Sequence, residues 1–292
     1  MISGKGRTQV PRLDDEPDAP AGARAEDPKP DKDPEYLSTL ERGLSVLRAF
    51  DQTRPEMQLS EVAAATNLSP AVARRCLNTL VQLGYVAKYG RRFLLRPEVL
   101  VFGSAYLSSM SLETVALPTL QYLRDETGDS SSMAVLSGED VLYVAHVSTT
   151  RPIRVSANVG TRFPLHATSL GKVLLAFQAP DAIDRYFATA KLKRFTEHTV
   201  TTAKGLRDRL AKVRDSGYDS ALDELDYGIV SIAVPVFDAN RRITCAINCS
   251  TSTTRVSQRE LVRTRLQLLQ QAAQEVQAAL QKRPYLAHSL TG

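Results

Sequence analysis

From Leu59 the chain reads LSEVAAATNLSPAVARRCLNTLVQLGYV, and apolar positions recur at helical intervals twice: Leu59, Val62 and Ala63, then Val72, Cys76, Leu80 and Leu83. Between the two stripes lies Asn67-Leu68-Ser69-Pro70. It supplies one apolar residue to fill an interhelical angle, a good N-cap in Ser69, and a proline at the first helical position. That is the make-up of a helix-turn-helix. Upstream, Leu40, Leu44, Leu47 and Phe50 form a further helical stripe, and Ser38-Thr39-Leu40-Glu41 has capping-box spacing, so a first helix should pack behind the pair. Downstream, Gly84 suits a helix C′ position. A strand over 85–88, a turn at Tyr89-Gly90 and a returning strand over 91–95 would form a wing.

The remaining pattern is mixed. Residues 97–109 read as a helix with Val99, Leu100, Phe102, Ala105, Tyr106 and Leu107 apolar on more than one side, which suggests a surface for a partner or packing on its own domain. A helix over 112–127 ends at Gly128, and strands over 131–136, 141–147 and 153–158 follow. Helices over 170–177, 182–187 and 204–215 precede a hairpin of strands 229–237 and 241–249. A long helix over 257–282 opens on the Ser257-Gln258-Arg259-Glu260 box. The expected class is α+β with an antiparallel sheet, divided as a disordered tail (1–34), a winged helix-turn-helix (35–96), a linker helix (97–110), a second domain (111–284) and a short tail (285–292). The N-terminal segment holds six of the fifteen prolines and little apolar surface, so it cannot offset the entropy of ordering.

Charge sharpens the first part. The net charge is +5, but residues 1–34 carry six basic and eight acidic side chains, whereas 35–96 carry nine and five. Between Val62 and Pro97 there are six basic residues and no acidic one. At 100° per residue, Ala71, Arg74, Arg75, Asn78 and Gln82 fall opposite the apolar stripe of the second helix. Arg and Asn are the side chains that read guanine and adenine edges in a major groove. Ser69, Ala71, Arg74, Arg75, Asn78 and Thr79, with Arg91 and Arg92 of the wing, are the candidate contacts to double-stranded operator DNA.

Residues 36–86 resemble the N-terminal domain of IclR-type bacterial transcription regulators. The resemblance rests on Leu40-Glu41-Arg42-Gly43-Leu44, on Leu59-Ser60-Glu61-Val62-Ala63, and on Leu80-Val81 followed by Leu83-Gly84-Tyr85-Val86. The stretch from Leu68 to Arg75 is closer to the branch controlling aromatic-acid catabolism, the Pca and Pob regulators, than to the glyoxylate-shunt branch. The similarity continues to about residue 284. It implies a GAF-like effector-binding domain, a homodimer or a tetramer of paired dimers, and an acid such as 4-hydroxybenzoate or protocatechuate as effector.

The second domain has its own local signal in His166-Ala167-Thr168-Ser169-Leu170-Gly171-Lys172, which runs from a polar turn into an apolar helix. Thr168 or Ser169 can cap that helix, and its free first-turn N–H groups form an anion site where a carboxylate would fit. The family resemblance implies the same loop, with Ser169 and Leu170 as backbone donors. It puts the opposite wall at Asp223 with nearby Glu224, Ile229 and Ser231, and Asn248 and Ser250. The last two lie two residues apart on one strand face. Met133, Tyr143 and Val155 could line an aromatic ring, and His166 could bond the ligand or hold its loop. One departure stands out: where the glyoxylate-type regulators carry an acidic residue ten before the Ser231 position, this chain has Ala221.

Catalysis finds no support. G-x-S-x-G, H-E-x-x-H and C-x-x-C are absent, and Gly171-Lys172 lacks the earlier glycine of a phosphate loop. Cys245 and Cys249, with His166, could be zinc ligands, but two buried structural cysteines are the plainer reading. No cofactor or metal is expected. No apolar run reaches the ~18 residues of a membrane span, and no signal peptide is evident, so a cytoplasmic protein is expected. Two other readings stay open: a regulator of the same family sensing a non-aromatic acid, and an architectural DNA-binding protein without ligand.

Overall fold

The computed structural model describes residues 34–291 except 52, 111 and 150–156. The expected disordered tail and most of the strand expected over 153–158, Val155 included, lie outside the described residues. Two compact units meet between Glu98 and Val99.

In the first unit, helix α1 (Ser38–Arg48) is followed by β1 (Glu56–Gln58), α2 (Leu59–Thr66), α3 (Pro70–Gln82), β2 (Val86–Tyr89) and β3 (Arg92–Leu95). The junction of α2 and α3 follows the sequence reading. Asn67 ends α2 in the left-handed region at φ 53°, half-buried Leu68 packs on the core, and the Ser69 hydroxyl accepts the Val72 N–H at 3.4 Å ahead of Pro70. Three expectations are corrected. The N-cap of α1 is Leu37, which makes no side-chain cap, so the Ser38 box does not form. The inward face of α1 is set by Val46, with Ala49 and Phe50 just beyond its end, leaving Leu40 and Leu44 exposed. On α3 the buried stripe is Ala73, Cys76, Leu77 and Leu80, while Leu83 is 60% exposed at the C-cap, where the helix stops. The wing is a three-stranded antiparallel sheet in the order β1-β3-β2, because Glu56–Gln58 pairs with β3. Gly90 turns the hairpin at φ +59°.

The second unit contains α4 (Leu100–Met110), α5 (Leu112–Thr127), β4 (Ser130–Ser137), β5 (Asp140–Val147) and β6 (Arg162–Pro164). A 3-10 turn (Leu165–Ala167) then leads into α6 (Ser169–Ala176), α7 (Pro180–Thr189) and α8 (Ala203–Ser216). The chain closes with β7 (Asp219–Leu222), β8 (Ile229–Phe237), β9 (Ile243–Ser252), α9 (Gln258–Gln281) and α10 (Pro284–Leu290). The six strands form one antiparallel sheet ordered β6-β5-β4-β9-β8-β7, so the class is α+β.

Strand alternation gives this sheet two apolar faces. Met133 and Val135 of β4, Ile232 and Val234 of β8, and Cys245, Ile247 and Cys249 of β9 meet α5 and α9 in one core. Ala134, Tyr143, Ala233 and Ala246 meet α6, α7 and α8 in the other. The segment expected to be a tail carries α10, whose Leu286 and Leu290 are buried in the first core; their i, i+4 spacing is a short apolar stripe. No single helix among the described residues is long and apolar enough to cross a membrane.

Candidate functional site

The first unit presents α3 outward. Ala71, Arg74, Arg75, Asn78, Thr79 and Gln82 are all exposed, the arc expected opposite the buried stripe. The Thr79 hydroxyl is engaged locally, donating to the Arg75 carbonyl at 3.0 Å. Ser69 is spent as the N-cap. Among the described residues Arg74, Arg75 and Arg91 make no ion pair, so their charges are open to an anion. Arg92 is different: its guanidinium lies 3.4 Å from Glu56 across the β1-β3 pair, on an exposed and therefore weak bridge.

The second unit holds a cavity of about 210 Å³ on the sheet face beneath α6. Two neighbouring rows of side chains build its floor, and strand register brings each row together. Ser130, Ser250, Ser231 and Ala221 stand side by side on β4, β9, β8 and β7. The next row is His146, Ser132 and Asn248, on β5, β4 and β9. All seven line the cavity. Tyr143 and Phe163 add an aromatic wall, edge to face at 5.5 Å between centroids. Burial pushes the Tyr143 phenol up from its ordinary pKa, so it stays neutral.

The roof is the start of α6. The Thr168 hydroxyl caps the helix by accepting the Gly171 N–H at 3.0 Å, which leaves the N–H groups of Ser169 and Leu170 without an intrahelical acceptor. Both residues line the cavity. A Cβ at Gly171 would lie 2.2 Å from the Leu165 carbonyl oxygen, so only glycine lets α6 sit this close to the preceding turn. The Ser169 hydroxyl shares a 2.8 Å hydrogen bond with that of Ser231, tying roof to floor.

Behind this roof, fully buried Lys172 reaches Glu224 at 2.6 Å and Asp219 at 3.1 Å, and Asp219 also meets Arg209 at 2.6 Å. Glu224 lines the cavity as well.

Of the expected ligand residues, Tyr143, Thr168, Ser169, Leu170, Ile229, Ser231, Asn248 and Ser250 converge on the cavity. Three do not. Met133 points to the opposite face, because the odd positions of β4 there pack on α5 and α9 while Ser132 and Ala134 face α6. Asp223 is a turn residue in the left-handed region at φ 55°, its carboxylate accepting the Gly228 N–H at 2.7 Å and the Ile229 N–H at 3.2 Å. His166 is buried beside the cavity, its Nε2 2.9 Å from the Lys193 carbonyl, and burial lowers its pKa despite that bond. As a neutral imidazole it donates to that carbonyl and holds the loop.

Sequence reading overlooked Ser130, Ser132, His146, Ser148 and Phe163. Its only available signal was the run Ser130-Ser131-Ser132, small polar residues inside a stretch otherwise apolar enough to be buried. His146 lies between two hydroxyls, Nδ1 2.9 Å from Ser132 and Nε2 2.9 Å from Ser148. Burial lowers its pKa, which keeps it neutral, with one nitrogen donating and the other accepting. Cys245 and Cys249 sit in the other core, their thiols pushed up to about 12 by burial, and no metal-binding cluster occurs among the described residues.

Comparison with known proteins matches both units. A family model described as the IclR helix-turn-helix domain matches residues 39–89, and one described as bacterial transcriptional regulator IclR C-terminal matches 104–278. The Pca regulon regulatory protein of Pseudomonas putida is 37% identical over 245 residues, covering 84% of either chain. The p-hydroxybenzoate hydroxylase transcriptional activator of Acinetobacter baylyi is 36% identical, covering 83% of this chain and 91% of its own. Among solved structures, a transcriptional regulator of Rhodococcus sp. RHA1 is 40% identical with a TM-score of 0.69, covering 85% of this chain and 99% of that one.

Proposed function

The chain belongs to the IclR family of bacterial transcriptional regulators, and from that membership we propose that it controls an aromatic-acid catabolic operon in response to a hydroxylated benzoate. The observation that carries the effector class is the cavity itself. It offers free helix N–H groups at one end, a polar floor, and an aromatic wall of Tyr143 and Phe163. A carboxylate docks on the Ser169 and Leu170 N–H groups, aided by the helix dipole. A dry cavity of about 150 Å³ already admits benzene, so 210 Å³ suits one substituted ring. Ala221 fits the same reading, since a methyl group at this edge of the floor leaves room where an acidic side chain would intrude.

The DNA-reading residues in this proposal are Arg74, Arg75 and Asn78 on α3, with Ser69, Ala71 and Thr79 at the helix surface and Arg91 and Arg92 on phosphates. Residues 35–96 form the DNA-binding domain, 97–110 the connecting helix, and 111–290 the effector domain. Two or four copies act together on a symmetric operator. The effector changes operator affinity only by binding the DNA-competent and incompetent states with different affinity. The test is calorimetric titration of the full chain with 4-hydroxybenzoate, protocatechuate, benzoate and glyoxylate under one condition. Binding of the hydroxybenzoates supports the proposal, and binding of glyoxylate alone overturns it.

A further inference from the structure

Asn248 is 4% exposed and lines the cavity, yet its side-chain amide makes no hydrogen bond among the described residues, and its Oδ1 is buried without a partner. A buried amide left unpaired is destabilising, so a group from outside the fold is needed beside it. Next to it in register stand Ser132 and then His146, with Ser148 on the far imidazole nitrogen. The helix N–H groups that suit a carboxylate lie at the other end of the floor, where Ser169 meets Ser231 on β8.

We infer that the Ser148–His146–Ser132 chain, together with the open Asn248 amide, forms a hydroxyl-reading subsite that selects effector acids bearing a hydroxyl across the ring from the carboxylate. The inference rests on the aromatic-acid reading above and adds which residues enforce its specificity. From Ser231 on β8 to Ser132 on β4 is two strand spacings across and two residues along, roughly 12 Å. A para-hydroxybenzoate, roughly 6 Å between its end oxygens, spans that distance with a hydrogen bond of about 2.8 Å at each end. A two-carbon acid does not.

The hydrogen-bond chain is also adaptable. With a proton on Nδ1, His146 donates to Ser132, whose own O–H is then free to donate to the ligand oxygen. With the proton on Nε2, the Ser132 O–H turns toward Nδ1 and its oxygen accepts the ligand hydroxyl instead. Ser148 completes either arrangement at the other nitrogen. Asn248 can take the remaining donor or acceptor role. A benzoate without the hydroxyl leaves these groups unpaired, and a site built to bond a hydroxyl discriminates strongly against such an analogue.

The test compares 4-hydroxybenzoate, 4-methoxybenzoate and benzoate by calorimetry on the full chain and on Ser132→Ala, His146→Phe and His146→Gln. The unaltered chain should prefer 4-hydroxybenzoate over benzoate by about ten- to a hundredfold, with the methoxy acid no better than benzoate. Ser132→Ala and His146→Phe should cut that preference by about tenfold, weakening 4-hydroxybenzoate far more than benzoate, and His146→Gln, which keeps a hydrogen-bonding group, should restore part of it. Equal loss for all three acids, or an unchanged preference in every variant, overturns the subsite while leaving the aromatic-acid reading intact. Failure of the unaltered chain to bind any of the three overturns that reading and the subsite with it.

Discussion

Replacing Lys172 by methionine separates the energetics of the buried charges from those of packing. Lys172 is fully buried, 2.6 Å from Glu224 and 3.1 Å from Asp219, and Asp219 keeps a second partner in Arg209 at 2.6 Å. Among the described residues Glu224 makes no other ion pair, and its second oxygen is buried without a hydrogen-bond partner. Two unit charges about 4 Å apart attract by about 4 kcal/mol at an effective dielectric of 20. That attraction is largely offset by the several kcal/mol each ion loses in leaving water, so the intact pair contributes little net stability. Breaking it is another matter: Lys172→Met strands the Glu224 carboxylate and should cost about 3–5 kcal/mol, a fall in Tm on the order of 10 °C. Lys172→Met/Glu224→Met removes both charges at similar volume, leaves Asp219 with Arg209, and should return to within about 1 kcal/mol of the starting chain. Urea unfolding followed by circular dichroism measures all four members of the cycle; the chain contains no tryptophan to follow by fluorescence. If the double variant is as unstable as Lys172→Met alone, the charges are not coupled and the reasoning fails.

Gly171→Ala should destabilise the second unit by about 1–3 kcal/mol and weaken effector binding, because α6 must recede from the Leu165 backbone that a Cβ would meet at 2.2 Å; an unchanged Tm and affinity would contradict that seating. Ser169→Pro places proline at the first position of α6, which tolerates it, after Thr168 in an extended conformation at φ −127° and ψ 148°. The variant should therefore fold, keep operator binding and lose most effector affinity, and unaltered affinity in titration would remove the helix N–H groups from the site. On DNA, Arg75→Ala or Asn78→Ala should cost about 1–3 kcal/mol and relax base preference, whereas Arg91→Ala should weaken all sequences alike and lower the salt slope by about one. Fluorescence anisotropy on specific and scrambled duplexes distinguishes these, and the same pattern from all three variants would refute the roles.

The helix-turn-helix was legible because its signals are local. Ser69-Pro70 fixes where α3 begins, and the left-handed Asn67 fixes where α2 ends, each within a few residues of chain. The buried stripe of α3 was read one step off because Ala73 has little apolar weight in a sequence pattern yet packs fully where backbones approach closely. In the second unit the roof of the cavity was equally local: Thr168, Ser169 and Gly171 lie together in the chain. The floor was not. Ser132, His146 and Asn248 become neighbours only through pairing of β5, β4 and β9, and the register that aligns them is not written in any one strand. Met133 shows the converse, a residue of suitable chemistry whose face depends on strand parity. Asp223 and His166 are near the cavity in sequence and space, but their polar groups are used up in holding the turn and loop that frame it.

Control of DNA binding by a hydroxylated aromatic acid bound beneath α6 is the proposed function of this chain. Its most direct test is the affinity of the full chain for its operator, measured by anisotropy at fixed salt with and without saturating 4-hydroxybenzoate. A shift of about fivefold or more, in either direction, with benzoate and glyoxylate far weaker at equal concentration, is the predicted result. An operator affinity indifferent to 4-hydroxybenzoate, or moved equally by glyoxylate, would contradict it.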